Sequence, residues 1–181
     1  MKLRASRLVA MVLTGIAAGI PAVATEPEDE LKAAIVLSFL RYSEWPTGGD
    51  SALRVGVLGR PALVQTLRRV LEGKSVETRP VRVVELKPGG ECGGCQVVYL
   101  ATGKPAEIKH GLESADAARA LTIGESERFL EFGGAVNLLV VDGRMSFEVS
   151  LEAVSHTGIT ISSKLLRFGR VLDAGRSRPP A

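Results

Sequence analysis

Cys92-Gly93-Gly94-Cys95 is the first place in this 181-residue chain where residue type and spacing could do chemistry. A redox dithiol needs its nucleophilic sulfur at a helix N-terminus, where the helix dipole lowers the thiol pKa. Here the pair precedes Gln96–Leu100, whose apolar run predicts a strand. Haem attachment would require His where Gln96 stands, and a zinc site would need two further ligands. The chain has two histidines, His110 and His156, which are far along the sequence and unclustered. A structural or strained local disulfide, a redox-responsive switch and some other role therefore stay open for Cys92 and Cys95.

The second candidate is Ser162-Ser163-Lys164. Ser162 suits a helix N-cap, with Ile161 and Leu166 as the flanking hydrophobic staple. Lys164 in the first turn is unexpected, because the helix dipole favours acidic groups there. Two explanations compete. Glu148 on the preceding strand could pair with Lys164, or free N–H groups, the two hydroxyls and Lys164 could hold an anion. Gly56-Val57-Leu58-Gly59 has the look of a nucleotide-binding turn but lacks the full glycine signature and a phosphate-binding Lys, so a tight strand–helix turn is expected. Gly133-Gly134 is read as backbone freedom at a helix end. Neither histidine belongs to a recognisable Ser-His-Asp order. Catalytic residues, a metal site and a cofactor are all expected to be absent, and Trp45 is read as a core anchor.

These residues must be positioned by alternating elements. Glu28–Tyr42 reads as an amphipathic helix presenting Leu31, Ala34, Ile35, Ser38 and Phe39. Strands follow at Leu53–Leu58, Val81–Leu86, Val97–Leu100 and Ala120–Ile123. Helices are expected after Pro61, which suits a first helical turn, and over Pro105–Ala117, with a weaker helical turn at Glu125–Phe132. Alternating strands and helices predict a single layered α/β domain with a largely parallel sheet. The end of the chain differs. Asp142-Gly143 is a two-residue hairpin signal joining Ala135–Val141 to Arg144–Ser150, which sets Val140 opposite Met145, Leu138 opposite Phe147 and Val136 opposite Val149. The second of these strands alternates cleanly and is expected at the sheet edge. A terminal helix follows.

The first 24 residues read as a cleaved secretory signal: Lys2, Arg4 and Arg7, an apolar core too short to span a bilayer, and the small-residue site Ala22-Val23-Ala24. Removing it leaves 20 basic against 20 acidic residues, because all three charges lost are basic. The remaining Thr25–Ala181 is then neutral, which excludes a nucleic-acid role carried by net charge, and no later run can insert in a membrane. The domain is expected over 25–173, and 174–181 as a disordered tail.

Several of these pieces together resemble the YfiR family of small periplasmic proteins. They are Leu31–Ala34, Glu44-Trp45-Pro46, Val57-Leu58-Gly59, Leu121–Gly124, Gly133-Gly134, Phe147-Glu148 and Ile161–Leu166, in order along nearly the whole mature chain. The resemblance implies a homodimeric, non-enzymatic periplasmic repressor. Such a protein binds the periplasmic sensor region of an inner-membrane diguanylate cyclase and so controls cyclic-di-GMP. A small-molecule or anion-binding subunit serving another receptor or kinase is the alternative. The family commonly has a Cys where Cys95 stands, whereas the close pairing with Cys92 departs from its pattern.

Overall fold

The computed structural model describes residues 27–46 and 52–172, so the expected signal segment and C-terminal tail lie outside the described residues. The first helix, α1 (Pro27–Arg41), places Glu28, Asp29 and Glu30 in its first turn and Arg41 in its last, the arrangement its dipole favours. Its buried stripe is Asp29, Lys32, Ala33, Val36, Phe39 and Leu40. Of the face expected from hydrophobic spacing only Phe39 is fully buried, and Leu31 is 53% exposed. The helix is rotated because Asp29 and Lys32 are drawn inward by oppositely charged partners, a pull that an apolar count does not register.

After β1 (Ser43–Glu44) come β2 (Leu53–Gly59), α2 (Pro61–Leu71), β3 (Ser75–Val76), β4 (Arg79–Leu86), β5 (Val97–Ala101), α3 (Pro105–Ala117) and β6 (Leu121–Gly124). The hairpin β7 (Val136–Val141) and β8 (Arg144–Ser150) follows, then α4 (Leu151–Ser155), β9 (Thr160–Ile161), α5 (Ser163–Leu166) and β10 (Arg170–Leu172). Among the described residues the main sheet runs β10-β8-β7-β6-β5-β2-β4-β3, and β1 pairs with β9 separately. Strands β4, β2, β5, β6 and β7 are mutually parallel. The fold is thus a single α/β domain with a largely parallel sheet, and it ends in an antiparallel hairpin as the sequence implied.

Alternation along the central strands assigns the two faces. Val55, Val57, Val97, Tyr99, Leu121 and Ile123 share a core with α1 and α2. Leu58, Val98 and Leu100 face the other way, with Ile108 and Ala115 of α3 and Phe129. Phe39 of α1 meets Phe147 of β8 edge-to-face at 5.1 Å, a pair contributing about 1 kcal/mol beyond its buried area.

The hairpin has the expected register, with Val140 opposite Met145, Leu138 opposite Phe147 and Val136 opposite Val149. Asp142 and Gly143 both take positive φ, 50° and 72°, as a type I′ turn requires. Two expectations at this end are corrected. Strand β8 is not the sheet edge along its whole length, because β10 pairs with it in parallel from Glu148 to Ser150. The expected terminal helix is the four-residue α5, and the chain continues from it into β10.

Candidate functional site

Strands β2, β5 and β6 end side by side, and the residues just past them converge. Arg60 follows β2, Thr102 follows β5 and Glu125 follows β6. The chain leaves β2 through α2 on one face and leaves β5 through α3 on the other. Open α/β sheets form a crevice at such a reversal, at the carboxyl ends of the strands. The hairpin deepens it. Strand β6 stops at Gly124, level with Asn137, whereas β7 runs on to Val141. Leu138, Val140 and Met145 therefore overhang the sheet as an apolar wall. The cleft has a volume of about 650 Å³, and Glu28 and Lys32 of α1 form its opposite side.

A charged network lines its floor. Lys32 donates to Glu125 at 2.5 Å and to Glu28 at 2.7 Å. Arg60 Nη2 reaches Asp29 Oδ1 at 3.0 Å and Glu125 Oε1 at 3.2 Å. The Tyr99 hydroxyl donates to Glu125 Oε2 at 3.3 Å. The side chains of Lys32 and Asp29 are only 7% and 4% exposed, and buried charges of this kind persist only when paired. Burial pushes the Lys32 pKa down, yet the hydrogen bonds to Glu125 and Glu28 outweigh it, and the ammonium titrates above an ordinary lysine. Burial, reinforced by Glu125, lifts the Tyr99 phenol well above its ordinary value. The hydrogen bond from Lys32 holds Glu28 below the usual carboxylate range. On the α3 side, Thr102 and Lys104 donate to Glu107 at 2.7 and 2.9 Å, which lowers its pKa.

This network was not identified from the sequence. The available signal was positional: charged residues directly after two of the parallel strands, Arg60 after β2 and Glu125 after β6, and two charged residues, Asp29 and Lys32, on the stripe that also carries Val36 and Leu40.

The sequence-predicted sites lie elsewhere. Cys92 and Cys95 are joined by a disulfide with a Cα–Cα distance of 5.7 Å. Both are buried in the α3-side core, and the Cys92 backbone N–H donates to Ser114 Oγ. A Cβ on Gly56 would fall 2.7 Å from Cys92 Sγ, so the bridge rests on a bare glycine of β2. Glu148 does not pair with Lys164. Its carboxylate meets Arg170 of β10 at 3.3 Å, because the parallel register sets Arg170 opposite Glu148. Lys164 is exposed, and among the described residues no ion pair reaches it. Ser162 does cap α5, its Oγ accepting from the Lys164 backbone N–H at 3.3 Å. With one helical turn, α5 sums few peptide dipoles, which removes both the penalty on Lys164 and the basis for an anion site at Ser162, Ser163 and Lys164. His110 is exposed on α3, and His156 ends α4. Trp45 is half-buried and donates its Nε1–H to the Leu40 carbonyl at 2.9 Å. Gly133 has φ 96°, whereas Gly134 serves close packing: a Cβ there would lie 2.2 Å from the Phe129 ring.

Beside the cleft, an apolar groove of about 520 Å³ is lined by Ile35, Tyr42, Met145, Phe147 and Phe168, with Lys164 and Arg167 at its rim. Phe168 is 67% exposed and Tyr42 49%. No helix among the described residues is long and apolar enough to cross a membrane. No cluster of His, Cys, Asp and Glu among them could hold a metal ion.

Comparison with known proteins agrees with this architecture. The family model described as YfiR/HmsC-like matches residues 29–170. A crystal structure titled as a conserved domain protein from Vibrio cholerae O1 biovar El Tor superposes with a TM-score of 0.57 at 13% identity. The match covers 81% of this chain and 60% of that one, so the chain spans less than two thirds of that protein, and the likeness is one of fold.

Proposed function

The chain belongs to the YfiR/HmsC-like family, and from that premise we propose that it is a non-enzymatic periplasmic regulator. In this reading it binds the periplasmic sensor region of an inner-membrane diguanylate cyclase and represses it, lowering cyclic-di-GMP. The family match over 29–170 carries the proposal. The Cys92–Cys95 disulfide supports it, since disulfides persist in oxidising compartments. So does the groove around Tyr42 and Phe168, because exposed aromatic side chains beside apolar neighbours are common anchors of protein interfaces. The alternating half of β8, Arg144 to Phe147, lies beyond the reach of β10 and leaves backbone groups that a partner strand could pair with. A homodimer is part of the proposal.

Deleting the protein from its host is expected to raise cyclic-di-GMP several-fold. A Tyr42→Asp, Phe168→Asp double variant, expressed at the wild-type level, should fail to restore the low level. Unchanged cyclic-di-GMP on deletion would overturn the cyclase reading. Full repression by the double variant would move the interface away from this groove.

A further inference from the structure

We propose that the cleft at the carboxyl ends of β2, β5 and β6 is a binding site for a small organic anion that carries an apolar part. The donors and acceptors within the network decide the sign of the ligand. Glu125 is satisfied on both oxygens, by Arg60 on Oε1 and by Lys32 and Tyr99 on Oε2. Glu107 is likewise held on both, by Thr102 and Lys104. Arg60, in contrast, makes its contacts through Nη2 alone. A guanidinium carries five N–H donors, so Nε and Nη1 remain available on a side chain that is 42% exposed. Lys104 spends one of its three donors on Glu107 and is 77% exposed. An entering anion thus finds unspent donors on Arg60 and Lys104, whereas an entering cation finds both oxygens of Glu125 engaged and, of the lining carboxylates, only Glu28, held by Lys32 through Oε1, with an oxygen to spare.

Backbone polarity points the same way. The N-termini of α2 and α3, eleven and thirteen residues long, both open at the cleft through Arg60 and Lys104, and neither has a side-chain cap. Helix N-termini of this length favour negative charge. Ser126, which lines the cleft, has its buried Oγ without a hydrogen-bond partner among the described residues. A buried hydroxyl left unpaired costs free energy that a ligand or a trapped water would recover. The overhanging wall of Leu138, Val140 and Met145 favours an apolar remainder of the ligand, and Val140 is 57% exposed. The volume of about 650 Å³ suits a small molecule.

This site adjoins the partner groove through Met145, but its charged floor belongs to it alone, and it can be tested on the mature protein without a partner. Uniformly ¹⁵N-labelled protein would be titrated with butyrate, 3-phenylpropionate and phenyl phosphate, and with neutral 3-phenylpropanamide as control. Saturable amide shifts are expected at Thr102, Gly103, Lys104, Ser126 and Leu139 with at least one of the anions and not with the amide. Arg60→Gln should weaken that binding at least tenfold. Lys104→Ser, at an exposed position that leaves the fold intact, should weaken it at least threefold. Silence from all three anions, equal binding of the amide, or shifts centred on Tyr42 and Phe168 would each overturn the proposal.

Discussion

The two faces of the sheet are closed by different means. On one face α1 and α2 lie side by side and complete a continuous apolar core, interrupted at one end by the network of Asp29, Lys32, Arg60 and Glu125. On the other face α3 stands with two compact plugs. One is the Cys92–Cys95 disulfide, seated on Gly56. The other is the Phe129 ring, seated between Gly124 and Gly134. Helices cover area with many modest side chains, whereas a plug concentrates the covering in a few atoms that need a glycine beneath them. Damage should therefore be distributed on the helical face and concentrated on the plugged one.

That contrast can be broken most directly at Phe129, which is fully buried. Phe129→Ala leaves a void that two glycines cannot fill, and should cost about 3–5 kcal/mol in urea unfolding. A loss below about 1 kcal/mol would mean that the α3 face tolerates an open plug, and the distinction between the faces would fail.

The next test lies on the helical face. Glu125→Gln strips the common partner from Lys32, Arg60 and Tyr99 and should cost about 3 kcal/mol at neutral pH, the lower end for a broken buried pair because Glu125 keeps some solvent contact. The pH profile sharpens it. Lys32 is held above its ordinary 10.5 and Tyr99 above its ordinary 10.0. Both contributions are fully present below those values and are lost as pH rises through the folded ones. Glu28 is held below its ordinary 4.5, so its contribution is present above that value and is lost as pH falls through the lower folded one. Wild-type stability should therefore fall off above pH 10 and below pH 4.5. In Glu125→Gln the Lys32 part of the alkaline loss should shrink, while the Tyr99 part, set mainly by burial, and the acid loss persist. A wholly unchanged alkaline limb would dissociate Glu125 from Lys32.

Replacing both Cys92 and Cys95 by Ser should cost least, about 2 kcal/mol, because a short loop restrains little unfolded-state entropy. A cost well above that would assign the bridge mainly to packing against Gly56 rather than to chain restraint.

The parts of the fold that obey periodicity were legible in the sequence. Strand β5 and helix α3 fall where their apolar runs and Pro105 place them, and Asp142-Gly143 set the hairpin register to the residue. What escaped was long-range. The rotation of α1 depends on Arg60 and Glu125, residues 31 and 96 positions beyond Asp29, and no local pattern connects them. Strand β10 was missed because three residues, Arg170 to Leu172, show no alternation of their own and become a strand only by docking on β8. The position of Lys164 suggests Glu148 as one candidate partner, but Arg170 of β10 takes that carboxylate, for the same reason.

The short pairing of β1 with β9 has a consequence for how the chain is made. Ser43 finds Ile161, and the Ser162 N–H donates to the Tyr42 carbonyl. The first helix is thus latched by residues synthesised near the end. Closing a contact across so long a stretch is slow, because its entropic cost precedes any reward. A nascent chain would remain unlatched until Thr160 to Ser162 had been made. That delay fits the periplasmic placement proposed above, in which the chain closes only after export.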